Sequence, residues 1–162
     1  MRAARLAVAL CLPLVAAGCG GEEDGTDAAG PAPKARTIDR GAGPPVEIPG
    51  GAPPRRLVVE DLREGSGAGA RRGDELEVEY VGLRWDGSPF TNSWERSKPF
   101  RFVLGTDDLL INPGWNKGLE GIEVGGRRKL IVPPDWQYRG GAPPEIGPDD
   151  TLVYVIDLIS LR

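Results

Sequence analysis

The side chain most often used as a base or metal ligand at neutral pH does not occur: the 162-residue chain has no histidine. That excludes Ser-His-Asp and Cys-His catalysis and every His-containing metal site. Both cysteines, Cys11 and Cys19, fall within the first nineteen residues, so the other 143 residues carry no thiol. Zinc-ribbon, iron–sulfur, thioredoxin-like and disulfide-framework readings are excluded with them. What remains in quantity is aromatic surface. All ten rings lie between residues 55 and 162: Tyr80, Trp85, Phe90, Trp94, Phe100, Phe102, Trp115, Trp136, Tyr138 and Tyr154.

The charge balance points away from nucleic acid. From residue 55 onward 15 Lys and Arg stand against 18 Asp and Glu, interleaved and without a block of five like charges. A surface that tracks phosphates leaves a basic imprint, and there is none.

Three stretches differ in composition. Residues 1–18 read as an export signal: Arg2 and Arg5 precede an apolar run of twelve, Leu6 to Ala17, followed by Gly18 and Cys19. Twelve apolar residues are too few for a bilayer span, which needs about twenty. Val15-Ala16-Ala17-Gly18-Cys19 resembles the lipobox of bacterial lipoproteins, which implies acylation of Cys19 as the mature N-terminus, although Ala16 stands where that motif prefers Leu. Residues 19–54 follow as a lipid-anchored linker. Positions 20–54 hold eight Gly and seven Pro and no aromatic residue, so the linker is predicted to stay disordered, unable to offset chain entropy by burial. A folded domain is confined to residues 55–162, enough for one small core. The chain is thus expected to be exported and bound to the bacterial cell or outer membrane through a lipid anchor only, with the domain on the extracytoplasmic side.

The elements that must hold the rings follow from period-two patterns. Leu76, Val78 and Tyr80 alternate with three glutamates, predicting a strand with one buried and one wet face. Phe100 to Leu104, Arg127 to Pro133, Thr151 to Leu161 and Val58 to Leu62 predict further strands; Leu152, Tyr154, Ile156 and Leu158 share one side of the longest. Arg127-Arg128-Lys129 reads as a solvated strand edge. Asn112-Pro113-Gly114-Trp115 supplies an N-cap and a first-turn proline, with Trp115, Leu119 and Ile122 at i, i+4 and i+7. Gly114, Gly118 and Gly121 would each weaken such a helix by about 1 kcal/mol, so it must be short and lie close against a concave sheet. The fold class is α+β, a twisted antiparallel β-sheet wrapped around one short α-helix. Without that helix the same strands would make a secreted β-sandwich.

Six blocks in one order resemble the FKBP-type peptidyl-prolyl isomerases: Glu79-Tyr80-Val81-Gly82; Phe90 to Phe102; Pro113 to Gly121; Gly125 to Leu130; Pro133 to Tyr138 with Gly141 to Pro144; and Thr151 to Tyr154. The resemblance covers nearly all of residues 55–162. It implies isomerisation of Xaa-Pro bonds with no cofactor, in a pocket of Tyr80, Phe90, Phe100, Ile111, Trp115, Tyr138, Ile146 and Tyr154. Trp115 would be the floor, Tyr80, Phe100 and Tyr154 the walls, Ile146 the side closure, and Tyr138 a hydroxyl donor to a substrate carbonyl. Either the Ile111 or the Asn112 backbone N–H would bind a carbonyl, and either Leu110 or Ile111 would face the pocket. Arg96 would orient the tyrosine wall. Trp94 and Trp136 are assigned to structure or surface.

The chain departs from the family pattern at Thr91, at Asn112, at Arg139 in place of the common Gly after the tyrosine, and in a stretch from Gly105 to Gly114 about two residues longer than usual. Thr91 replaces the usual Asp after the Phe, leaving Arg96 without its carboxylate unless Glu95 or Asn92 substitutes, and Asn112 replaces an aliphatic residue before Pro113. The implied partners are unfolded or flexible proline-containing polypeptides, with the macrolide inhibitors of the family as ligands and a monomeric state. A non-catalytic FKBP-like binding module or holdase is the alternative that Thr91 and Asn112 favour.

Overall fold

The computed structural model describes residues 34–38, 42–96, 98–140 and 142–162. The export signal, Cys19 and the linker up to residue 33 lie outside the described residues. Among the described residues there are eight strands: β1 (Arg36–Ile38), β2 (Val46–Ile48), β3 (Val58–Arg63), β4 (Glu75–Arg84), β5 (Pro89–Asn92), β6 (Phe100–Val103), β7 (Arg127–Val132) and β8 (Leu152–Leu161). The main sheet runs β3-β7-β8-β4-β5, with β6 also paired to β4, and every pairing is antiparallel. A helical turn, α1 (Ser93–Arg96), lies between β5 and β6, and α2 (Pro113–Gly118) is the helix against the sheet.

Along one edge of β4 the partner changes. Glu75 to Val78 pair with β6, and Val81 to Leu83 pair with β5. At the gap the Tyr80 N–H donates to Ser93 Oγ at 2.7 Å, and that hydroxyl in turn donates to the Glu79 carboxylate. The α1 turn therefore fills the split in the edge and pins Tyr80, a wall of the cleft described below.

Helix α2 ends after six residues at its C-cap Leu119, whose N–H reaches the Trp115 carbonyl; Gly121, at φ +79°, lies in the turn beyond, and Ile122 packs into the core from there. Asn112 caps its start, its side-chain oxygen accepting the Trp115 N–H at 2.9 Å. The glycines do what the sequence required of them: a Cβ on Gly114 would stand 2.7 Å from Val132 Cγ1, and one on Gly118 2.6 Å from Leu130 Cδ2. Arg128 closes the other end, donating to the carbonyls of Gly118 and Glu120 at 2.8 and 3.0 Å.

The even-numbered members of β8, Leu152, Tyr154, Ile156 and Leu158, join Leu76, Val78, Leu130, Val132 and Trp115 in the inner core, as the alternation predicts. The opposite face is not wet. Val81, Leu83, Ile131, Val153 and Val155 form a second core, sealed by Val46 and Ile48, both wholly buried. Disorder extending through residue 54 is thereby corrected: two three-residue strands, β1 and β2, pair with each other and strap the outer face, because four aliphatic positions of β4 and β8 need a cover. Polar anchors fix the strap, with Arg36 donating to the Trp85 carbonyl at 2.8 Å and Asn92 to that of Ala42 at 3.1 Å.

The basic triplet at the start of β7 is also corrected. Arg128 and Lys129 are buried rather than solvated, because β3 places Asp61 and Glu60 directly across from them; Arg128 reaches Asp61 and Lys129 reaches Glu60 at 2.6 Å each. Arg127 grips the buried Asp157 with both Nε and Nη2.

Candidate active site

Between the concave face, α2 and the loop after β6 lies a cleft of about 340 Å³. Trp115 is its floor, buried to 4% exposure and ringed edge-on by Tyr80 at 4.9 Å, Tyr154 at 5.2 Å and Phe100 at 6.3 Å between centroids. These T-shaped contacts match ring edges to ring faces and hold each plane where it stands. Gly82 makes room for the arrangement, since a Cβ there would meet Thr91, Phe90 and Tyr154 atoms at 2.6 to 3.1 Å.

Tyr80, Phe90, Thr91, Arg96, Phe100, Leu110, Ile111, Trp115 and Tyr138 line the cleft together, as expected from the sequence. Tyr154 and Ile146 do not line it. Both belong to the core behind the cleft, Tyr154 with no exposed surface at all, so Tyr154 supports the floor rather than forming a wall. Pro143 takes the lining position on the loop before β8, where Ile146 was expected to close the side.

On the loop after β6 both candidates line the cleft, Ile111 buried to 5% exposure and Leu110, 64% exposed, as a lip. The Ile111 N–H is already given to the Asp108 carbonyl at 3.0 Å, which leaves the Asn112 N–H as the candidate carbonyl donor. Asn116 of α2 ties this loop down, accepting the Gly105 N–H at 2.7 Å and donating to the Thr106 carbonyl at 2.8 Å.

At the opposite rim Arg96 donates to the Tyr80 hydroxyl at 2.9 Å, with its guanidinium 5.7 Å from the ring centre. Thr91 Oγ1 stands 3.5 Å from each terminal guanidinium nitrogen of Arg96 and 3.4 Å from the Tyr80 oxygen, long contacts for a neutral hydroxyl. Neither proposed substitute serves: Asn92 donates to Glu95 at 3.1 Å, and among the described residues no carboxylate pairs with Arg96. Arg96 thus orients Tyr80 without a fixed counter-charge.

Sequence reasoning read Asn112 as a helix cap and missed the second bond of its side chain. Besides capping α2, its Nδ2 donates to the Tyr154 hydroxyl at 3.1 Å, and Tyr154 lies 3.2 Å from the Tyr138 hydroxyl. The polar residue in an aliphatic position was the available signal. Burial raises the pKa of both phenols, Tyr154 well above the ordinary value with the adjacent Tyr138 adding to the shift, while hydrogen bonds from Tyr154 and Asn112 partly offset it for Tyr138. Both hydroxyls are therefore protonated at neutral pH.

A largely apolar, ring-lined cleft with a tyrosine hydroxyl and a candidate backbone donor at its edge is suited to a reaction in which an amide is twisted rather than attacked. Comparison with known proteins agrees. Residues 67–159 match the family model described as FKBP-type peptidyl-prolyl cis-trans isomerase. The FK506-binding protein of Streptomyces anulatus is 40% identical over 121 residues, 73% of this chain and 96% of the relative. A probable FK506-binding protein of Corynebacterium glutamicum is 42% identical over 120 residues, 72% and 97% of the two chains. Among solved structures, FkpA from Escherichia coli superposes with a TM-score of 0.59 at 35% identity, covering 65% of this chain and 48% of that one. The chain belongs to the FKBP family, and it is a peptidyl-prolyl cis-trans isomerase.

Proposed function

We propose that this isomerase works outside the cytoplasm, tethered through an acylated Cys19, and turns Xaa-Pro bonds in unfolded or flexible exported polypeptides so as to assist their folding. The observation that supports the location is the signal-like order of Arg2, Arg5, the apolar run Leu6 to Ala17 and Gly18-Cys19. The strap strands Arg36–Ile38 and Val46–Ile48 belong to the domain, so the proposed linker does not extend through residue 54.

The cleft supports a mechanism without a nucleophile. Rotation about the peptide bond is opposed by a barrier of about 18–20 kcal/mol from amide resonance, and only binding that is stronger to the twisted state speeds it. The proline ring packs on Trp115 between Tyr80 and Phe100. The Asn112 N–H and the Tyr138 hydroxyl hold the flanking carbonyls, and the rings exclude water from the amide, which disfavours the planar, charge-separated resonance form. The apolar lip of Leu110 and the wall of Phe90 favour an apolar residue before proline. Macrolides of the kind named for the relatives are expected to compete for the same cleft.

The location is tested by expressing the full chain and its Cys19→Ser variant in a bacterial host with labelled palmitate. Label and detergent-phase partition in the wild type, both lost in Cys19→Ser, support the tether; an unlabelled protein in the soluble cytoplasmic fraction overturns it.

A further inference from the structure

Three hydroxyl and amide groups at the back of the cleft leave little freedom in where their protons go. Asn112 Oδ1 accepts the Trp115 N–H at 2.9 Å, so the amide cannot be flipped without setting its NH2 against a donor. Its Nδ2 therefore faces the Tyr154 oxygen at 3.1 Å as a donor. Tyr154 is wholly buried, and its own single proton has the Tyr138 oxygen at 3.2 Å as its acceptor. With that oxygen accepting, the Tyr138 proton is left pointing at the cleft that Tyr138 lines.

We infer that Asn112 and Tyr154 are positioning residues that commit the Tyr138 hydroxyl to act as a donor toward the substrate carbonyl. The inference rests on the proposed role of Tyr138 and adds its control. An aliphatic residue at 112 would open the Tyr154 oxygen to a bond from Tyr138 but leave the buried Tyr154 proton unpaired, whereas an acceptor at 112 would take that proton and turn a Tyr138 lone pair rather than its proton toward the substrate. With an acceptor at 112 the reversed chain strands no hydroxyl, so the loss would fall on the substrate, which would meet an acceptor opposite its own carbonyl. Asn112 thus serves two ends of one amide: the oxygen starts the helix that carries the floor, and the nitrogen sets the polarity of the rim.

The test is a double-mutant cycle on the full chain. Asn112→Asp keeps both the size and the capping oxygen but replaces the donor with an acceptor, which reverses the chain. The readouts are kcat/KM for an Ala-Leu-Pro-Phe peptide in a protease-coupled assay and, separately, the Kd of the same peptide. Asn112→Asp should lower kcat/KM and weaken binding by about five- to tenfold, the worth of one substrate hydrogen bond. In a Tyr138→Phe background the same change should have almost no effect. Equal losses in both backgrounds, or no loss in the wild-type background, overturn the inference, as does a Tyr138→Phe variant with unchanged kinetics and binding. Should Asn112→Asp fail to fold, Tyr154→Phe replaces it: a loss that vanishes in Tyr138→Phe supports the chain, and additive losses refute it. Peptide binding without any isomerisation would instead refute the catalytic role of the cleft, while the Kd cycle would still decide the inference.

Discussion

The two faces of one sheet bury cores of unequal size and different chemistry. Beside its aliphatic residues the inner core holds a cluster of rings, Tyr80, Phe100, Tyr154 and Trp115 of α2, meeting edge-on at about 5 to 6 Å, and at that cluster an open cleft remains. The outer face is built of Val81, Leu83, Ile131, Val153 and Val155 and is closed completely by Val46 and Ile48. Planar rings locked against one another cannot collapse into the space beside them, whereas branched aliphatic chains interdigitate until none is left. Adjacent residues of β8 divide the two tasks, Tyr154 facing the site and Val153 and Val155 facing the strap. The outer face should therefore govern stability alone, and the inner face both stability and rate.

The largest expected effect separates them. Ile48→Ala removes a wholly buried side chain from the outer core and should cost about 2–5 kcal/mol in denaturant unfolding, with kcat/KM of the remaining folded protein unchanged. A parallel fall in kcat/KM would erase the distinction between the faces. Next, Gly114→Ala forces a Cβ to 2.7 Å from Val132 Cγ1. Overpacking there should cost about 1–3 kcal/mol, and because Trp115 rides on the same helix, kcat/KM should fall with it. Stability lost without any change in rate would show that the floor tolerates displacement.

A smaller effect runs the other way. Thr91→Asp supplies the carboxylate that Arg96 lacks, firming its hold on Tyr80. Since exposed pairs contribute about 0.2–1 kcal/mol, kcat/KM should rise by about two- to fivefold at low salt, and the gain should shrink as salt is added. An unchanged rate at low salt would show that Tyr80 is already fully held. The smallest effect at physiological pH, nil there by expectation, emerges only in alkali. Tyr138 and Tyr154 have pKa values raised by burial, so the folded state keeps protons that the unfolded state gives up. Their contribution to stability is complete below the ordinary phenol value of about 10 and is lost as pH climbs above it. Tyr154→Phe should flatten that alkaline decline in unfolding free energy; an unaltered slope would place its origin elsewhere.

The inner face was readable from sequence because its signals are local. Leu76, Val78 and Tyr80 alternate, Asn112-Pro113 announces a helix start, and the ring-bearing blocks keep their family order. The outer face was not, because Val46-Glu47-Ile48 is a three-residue strand inside a Gly- and Pro-rich stretch whose composition reads as unstructured. One clue existed in β8, where Leu152 to Ile156 are apolar at every position; a strand hydrophobic on both sides needs cover on both sides. Arg128 and Lys129 were misread for a different reason. Their neutralising partners, Asp61 and Glu60, are 67 and 69 residues away and become neighbours only through the register of β3 on β7. Within the site, Tyr154 and Ile146 carry family positions, yet the cleft is lined in front of them, so depth rather than identity escaped the sequence.

The central claim is that the ring-lined inner cleft, and not the sheet as a whole, accelerates rotation about the Xaa-Pro bond. The most direct measurement is kcat/KM for an Ala-Leu-Pro-Phe peptide with the wild type, Phe90→Ala and Ile48→Val compared at one temperature well below all three unfolding midpoints. Phe90 lines the cleft and packs on Tyr154 at 5.6 Å, while Ile48 belongs to the outer core. The account predicts at least about a tenfold loss for Phe90→Ala, some 1.4 kcal/mol of barrier, and a wild-type rate for Ile48→Val. A Phe90→Ala variant as fast as the wild type would contradict it.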